Sequence, residues 1–102
     1  MKLDIRSVHL DLSDAIRTFI EEKMAKLEPL LARFGDGVTT EVEVSRTTSH
    51  HHKGEVFRAE VHVRLPNHLI YMNDVAEDLY QAITQAVHKA ERGVIDYKEE
   101  IS

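Results

Sequence analysis

The chain has 102 residues, of which 42% are hydrophobic and 30% charged, and this composition predicts one folded domain rather than a disordered segment. It contains no cysteine, which excludes disulfides and thiol chemistry. The net charge of −5 argues against a uniformly basic surface, so nucleic-acid binding would require a local cluster of basic residues. Charged residues interrupt every apolar run, which predicts neither a signal peptide nor a membrane span and favours a cytoplasmic location.

The N-terminal segment alternates between apolar and charged residues. Leu3 and Ile5 fall on one side of residues 2–8, which predicts a half-buried strand. Asp11 and Ser13 are candidate N-caps for a following helix, and Asp14 places negative charge in its first turn.

Residues 15–34 carry one apolar stripe at helical spacing, formed by Ile16, Ile20, Met24, Leu27, Leu31 and Phe34. Pro29 lies inside this stripe, so we expect a kink, or the end of the regular helix near Glu28. Gly35 and Gly37 then end the helical segment.

Two further alternating segments, residues 38–48 and 55–65, predict strands that flank a polar hairpin loop at residues 49–54. Pro66 and Asn67 mark a tight turn, and a short fourth strand is expected at residues 68–72. Asn73 or Asp74 would then cap a final helix.

The predicted final helix has the apolar stripe Val75, Leu79, Ile83, Ala86, Val87, Ala90 and Val94. Gly93 argues against an uninterrupted helix as far as Lys98. The complete order, β-α-β-β-β-α, predicts a single α+β domain over residues 1–102, with a four-stranded sheet and two helices packed on one face.

Three motifs, in this order, resemble the ribosome hibernation-promoting factor and ribosome-associated inhibitor family, also called the sigma-54 modulation protein family. The first helix carries DLSDAIRTFI at residues 11–20 and KMAKLE at residues 23–28. The hairpin carries HHKGEVFRAEV at residues 51–61, and the second helix carries DLYQAI at residues 78–83. The resemblance covers nearly the whole chain.

This resemblance implies a fold similar to a double-stranded-RNA-binding domain and a function in translation. Members of the family bind rRNA in the mRNA and tRNA channel of the small ribosomal subunit and silence translation under starvation. Long forms carry a second domain that pairs ribosomes. The end of this chain at Ser102 therefore implies a short form, expected to be a monomer or a weak dimer.

The resemblance also implies that basic residues of the two helices face rRNA. The candidate contacts are Arg17, Lys23, Lys26, Arg33, His88, Lys89, Arg92 and Lys98. Lysine and arginine contact the RNA backbone without reading its sequence. Arg17 is expected on the flank opposite Lys23 and Lys26. The alternative interpretation of these residues is a solvated helix surface.

Acidic residues near the C-terminus depart from the family pattern, because Glu91, Asp96, Glu99 and Glu100 interrupt the basic run. Carboxylates near phosphates weaken binding. A second hypothesis is therefore an acidic protein-interaction module with the same fold that does not bind ribosomes.

No pattern of an enzyme, a metal site or a cofactor site stands out. His50, His51 and His52 are consecutive, but neighbours on a loop do not supply the tetrahedral geometry of a zinc site. The sequence contains no G-x-S-x-G, P-loop or H-E-x-x-H motif. We therefore expect no catalytic residue, metal, cofactor or small-molecule substrate. Tyr80 lies at the edge of its helical stripe, where core packing is favoured over base stacking.

Overall fold

Four strands form one mixed sheet in the order β1-β2-β3-β4 in the computed structural model, which describes residues 1–48 and 55–102. β1 (Lys2–Val8) pairs in parallel with β2 (Thr39–Thr48). β3 (Glu55–Leu65) pairs antiparallel with β2, and β4 (His68–Ala76) pairs antiparallel with β3. Because β1 and β2 are parallel, the chain must return along the sheet between them, and the first helices make this crossover.

The helical layer covers one face of the sheet. It consists of α1 (Asp14–Ala25), the short α2 (Glu28–Leu31), a 3-10 segment (Ala32–Gly37) and the long α3 (Leu79–Glu100). The side chains that point from both long helices toward the sheet share one buried core with the inward-facing strand residues, among them Ile20, Met24, Val42, Val61, Ile83 and Val94. The predicted architecture, an α+β domain with two helical elements on one sheet face, is confirmed.

Alternation along the strands separates the two faces of the sheet, as the sequence predicts. Val42, Val44 and Val61 are almost completely buried beneath the helices. Burial of a valine side chain contributes about 1.5–3 kcal/mol to stability. The residues between them, such as Glu41 and Glu43, lie on the outer face, which no helix in the described part of the chain covers.

The first helical segment is broken, as the proline predicts, but the break comes slightly earlier. α1 ends at Ala25, and Lys26 caps it by donating its backbone N–H to the carbonyl groups of Lys23 and Met24. Pro29 lies in the first turn of α2. A proline is tolerated there because a first-turn N–H has no partner within the helix.

Ser13 is the N-cap of α1, since its Oγ accepts the backbone N–H of Ile16 at 3.2 Å. The strand predictions for residues 2–8 and 55–65 are also confirmed. The predicted hairpin loop at residues 49–54, with its three histidines, lies outside the described residues.

The prediction for the junction between β4 and α3 is wrong. β4 continues through Asn73 and Asp74 to Ala76, and the helix cap is Asp78, whose side chain accepts the N–H of Tyr80. Val75 is a strand residue, half exposed, and does not belong to the helical stripe. Pairing with β3 outweighs the low strand propensity of asparagine and aspartate at these positions.

α3 runs through Gly93 to Glu100 without interruption, although glycine weakens a helix. A Cβ at this position would lie 3.0 Å from both Ile70 Cγ2 and Met72 Cε of β4. The glycine therefore permits close packing of the helix on the strand, and the contact compensates for its low helix propensity.

Candidate nucleic-acid interface

α1 and α3 lie side by side with the same direction, so residues of increasing number meet along one seam. Phe19 contacts Tyr80 near its beginning, and Phe34 contacts Tyr97 near its end. Between these pairs, two grooves lie on the outer surface where the two helices meet. Six basic residues lie along this surface, and we call them the basic seam: Lys23, Lys26, Arg33, His88, Arg92 and Lys98.

The first groove brings three of the predicted residues together. Lys23, Lys26 and His88 line it with Thr84, Val87 and Glu91, and its volume is about 100 Å³. The Nζ atom of Lys23 lies 5.2 Å from the ring centre of Phe19, a cation–π distance. Since α1 supplies the lysines and α3 the histidine, only the packing of the helices creates this cluster.

An aromatic pair closes one end of the first groove. The rings of Phe19 and Tyr80 meet edge to face, with centroids 4.9 Å apart. Tyr80 is 39% exposed. Its ring therefore packs at the edge of the helical stripe, as predicted, while part of it faces solvent.

The second groove brings together Arg33 and Lys98, with Leu30, Ile95, Glu99 and Ser102, around a volume of about 290 Å³. Arg33 lies over Phe34, with 5.6 Å from its Cζ atom to the ring centre. Phe34 stacks on Tyr97, and Tyr97 stacks on His68 with parallel rings 3.9 Å apart. These rings hold the end of α3 against the 3-10 segment and the start of β4.

Arg92 follows His88 by one turn of α3 and is exposed. It therefore lies between the two grooves along the helix and extends the series of basic residues from Lys23 to Lys98.

Arg17 and Lys89 lie apart from the basic seam. Arg17 lines a separate groove at the β1 edge with Asp4, Arg6 and Glu41. Lys89 forms an ion pair with Asp74 of β4, with 3.3 Å between Nζ and Oδ2. The structure thus brings six of the eight predicted residues to one surface and leaves two elsewhere.

The basic seam is not neutralised by direct ion pairs. Within residues 1–48 and 55–102, none of its six members lies within 4.0 Å of a carboxylate. The charges of its lysines and arginines are therefore available to an anionic partner.

The arginines of the outer sheet face differ in this respect. Arg6 lies 3.5 Å from Glu43, Arg64 lies 3.1 Å from Glu41, and Arg58 lies 3.1 Å from Glu60. Pairing with glutamates, across strands for Arg6 and Arg64 and within β3 for Arg58, thus balances the charge of this face, which makes it a poor surface for phosphate compared with the seam.

Two carboxyl groups of the outer face have lowered pKa values. A hydrogen bond from Arg64 lowers the pKa of Glu41 below its ordinary value. The pKa of Glu60 is lowered first by the hydroxyl of Tyr71, which donates to it at 2.7 Å, and further by Arg58. Both shifts belong to groups that hold the sheet face together.

Carboxylates lie next to the basic seam without pairing directly to it. Glu91 lines the first groove and Glu99 the second. The local field of the seam is therefore weaker than its basic residues alone would give.

Sequence reasoning does not identify Thr84 as a residue of the site. Thr84 shares a helical stripe with His88 and Glu91, a spacing that could have placed it in the same groove. Asp74 was interpreted as a helix cap, and its pairing with Lys89 depends on a strand boundary that the sequence did not reveal.

Metal-binding and membrane-spanning features are not found in the described ranges, 1–48 and 55–102. No three histidine or acidic side chains there come close enough to hold a metal ion. No helix in the same ranges is long and apolar enough to cross a membrane.

A family model described as sigma 54 modulation protein / S30EA ribosomal protein matches residues 3–102. The chain belongs to this family.

Two relatives are named ribosome hibernation promotion factor. The protein of Lactococcus lactis subsp. cremoris (strain MG1363) is 33% identical over 102 residues, which cover 96% of this chain and 50% of the relative. The protein of Staphylococcus aureus (strain COL) is 30% identical, over 100% of this chain and 50% of the relative. The chain thus spans about half the length of these relatives.

Solved structures show the same fold. The crystal structure of the N-terminal domain of Thermus thermophilus Protein Y aligns with a TM-score of 0.76 and 31% identity, over 95% of this chain and 99% of that one. A ribosomal subunit interface protein from Coxiella burnetii aligns with a TM-score of 0.74 and 21% identity, over 97% and 99% of the two chains. The Coxiella likeness concerns the fold alone.

Proposed function

We propose that this protein is a ribosome-associated hibernation factor of the cytoplasm and not an enzyme, and that its basic seam binds rRNA in the mRNA and tRNA channel of the small subunit. One observation supports this most directly. The six basic residues of the seam make no ion pair within the described ranges, whereas Arg6, Arg58 and Arg64 of the outer face are all paired. Unpaired charge on a rigid surface favours phosphate contact.

The shape of the seam suits recognition of an RNA backbone. Its basic side chains come from the helical layer, which is packed on one sheet, so the distances between their backbone positions are set before binding. Lysine and arginine held in this way contact phosphates by position and not by base sequence. The seam would therefore recognise a folded ribosomal site by shape.

Lys89 and Arg17 have smaller parts in this proposal. Lys89 must leave Asp74 before it reaches a phosphate, which reduces its net contribution. Arg17 faces the β1 edge, so it would contact RNA only if the ribosomal site extends beyond the seam.

The direct test is sedimentation of the protein with purified small subunits at low salt and millimolar Mg²⁺. The protein should appear in the pellet. Reversing two charges of the first groove, with Lys23→Glu and Lys26→Glu, should weaken binding by about tenfold or more, because each glutamate also repels phosphate.

A matched control lies on the outer face of the sheet. Arg64→Ala removes a positive charge that is already paired with Glu41, so it should leave binding unchanged. Absence of the protein from the pellet would contradict the proposal, and equal losses in the seam and control variants would contradict the assignment of the interface.

The alternative is a protein-interaction module, favoured by Glu91 and Glu99 inside the two grooves. The two hypotheses predict different effects on ribosome binding when an acidic charge is removed from a groove. Replacing Glu91 by Gln should strengthen ribosome binding if the seam contacts phosphate. The same variant should have no such effect if the seam binds a protein.

A further inference from the structure

β4 is an edge strand of the sheet, and its outer face is unusually apolar. It pairs with β3 on one side and with no strand on the other in the described sheet. Leu69, Tyr71 and Val75 are 47%, 40% and 50% exposed. Such a strand is a template for pairing with another chain unless the protein blocks it.

The turn before β4 decides which backbone groups face this open edge. Leu65 and His68 are partners across the two-residue turn, so they form a hydrogen-bonded pair. Alternate residues of β4, starting with Leu69, therefore direct their N–H and C=O groups away from β3. These residues are Leu69, Tyr71, Asn73 and Val75.

Two side chains occupy the second half of the open edge. Lys89 of α3 donates from Nζ to the carbonyl oxygen of Asn73 at 3.3 Å. Asp74 accepts the N–H of Val75 through Oδ1 at 2.8 Å. The other carboxylate oxygen of Asp74 lies 3.3 Å from Lys89 Nζ. Lys89 and Asp74 thus form an ion pair with each other. Each also binds one backbone group of the open edge, the C=O of Asn73 for Lys89 and the N–H of Val75 for Asp74.

Among the described residues, this arrangement leaves only Leu69 and Tyr71 open along the edge. A stable pairing between strands needs more than two residues, and the Nζ of Lys89 already occupies the carbonyl oxygen of Asn73, which a third would use. A strand that paired with this part of β4 would also remove the charged groups of Lys89 and Asp74 from water, which costs free energy.

We propose that Lys89 and Asp74 form an edge clamp that prevents β4 from pairing with the β4 strand of a second copy of this chain. The second copy is the relevant partner because it presents the same unpaired backbone groups and the same apolar row, and antiparallel pairing about a twofold axis would match them. The proposal does not depend on RNA binding by the basic seam.

The test is the oligomeric state by sedimentation equilibrium over a wide range of protein concentration. Lys89→Met keeps a side chain of similar length but removes the ion pair with Asp74 and the hydrogen bond to the carbonyl of Asn73. Asp74→Ala removes the same ion pair and the acceptor for the N–H of Val75. Both variants should show a weight-average mass that rises with concentration toward about twice the wild-type value. Lys98→Ala, on the same helix but away from β4, should behave as the wild type.

A second substitution shows whether the association uses this edge. Leu69→Lys, combined with Lys89→Met, places a charge on the remaining open part of β4 and should restore the wild-type mass. Circular dichroism should report the same helix content in every variant. If both clamp variants sediment as the wild type, or if Leu69→Lys fails to reverse their association, the edge clamp is wrong.

Discussion

Basic side chains of the same type have different surroundings on the two faces of this domain. On the outer sheet face, Arg58 and Arg64 each lie 3.1 Å from a glutamate. On the helical face, Lys23 lies above an aromatic ring instead. The difference follows from local geometry, since the extended strands place opposite charges side by side on one sheet face, whereas the seam residues project outward from the helical layer.

The Tyr71 hydroxyl offers a test at the scale of one residue. Tyr71→Phe removes the bond to Glu60 and the bond that Arg58 donates to the hydroxyl, so the free energy of unfolding should fall. The expected loss near neutral pH is about 1 kcal/mol, because the group is partly exposed. Urea unfolding at a series of pH values measures it.

The pH dependence of this loss has a definite sign. The pKa of Glu60 in the folded protein is lowered from the ordinary value of 4.5, first by Tyr71. Its contribution to stability is therefore present above pH 4.5 and is lost as the pH falls through the folded pKa. The wild type and Tyr71→Phe should converge in acid. A constant difference at every pH would contradict this, and Tyr80→Phe is the control, because no described hydrogen bond involves its hydroxyl.

At the scale of an element, α3 shows how packing overrides local propensity. Gly93 weakens an isolated helix by about 1 kcal/mol relative to alanine, but here a Cβ would lie 3.0 Å from Ile70 and Met72 of β4. The neighbouring turns bury Ala86, Ala90 and Val94, which are also small. Small side chains along one face let the helix approach the sheet, and the contact stabilises the helix in return.

Gly93→Leu should therefore destabilise the protein although leucine is the better helix former. Helix propensity alone would stabilise the variant by about 0.8–1 kcal/mol. The added side chain has no space against Ile70 and Met72, so we expect a net loss of about 1–3 kcal/mol. Urea denaturation measures the loss. Gln81→Leu, at an exposed position of α3, should be near neutral, and equal stability of both variants would contradict the close packing.

At the scale of the whole molecule, a net charge of −5 coexists with a surface that presents unpaired positive charge. Folding produces this asymmetry by pairing the arginines of the outer face and leaving the six members of the basic seam without carboxylate partners in the described ranges. The average charge of the chain therefore predicts little about a binding surface.

Salt dependence of ribosome binding tests this asymmetry. Phosphate contacts by the five lysines and arginines of the seam would give a slope of log affinity against log salt of about −3.5 to −4.5, and each removed contact should reduce its magnitude by about 0.7–0.9. Sedimentation with small subunits at several salt concentrations and constant Mg²⁺ measures the slope. Lys26→Ala should flatten it and Arg64→Ala should not. A slope near zero would indicate a protein contact.

The sequence by itself determined the order of the elements and the faces of the strands. Hydrophobic periodicity carries this information, because a side chain's direction depends on its own element. The boundaries of β1 and β3 and the cap at Ser13 followed from the same local signals.

Only the tertiary structure decided where β4 ends, why Gly93 is tolerated and which basic residues are engaged. Asn73 and Asp74 join a strand because β3 supplies partners for them, and Lys89 is engaged because that strand brings Asp74 beside α3. These outcomes depend on contacts between residues distant in sequence, whose geometry no local pattern encodes. The same contacts decide that Lys23 and His88 share a groove.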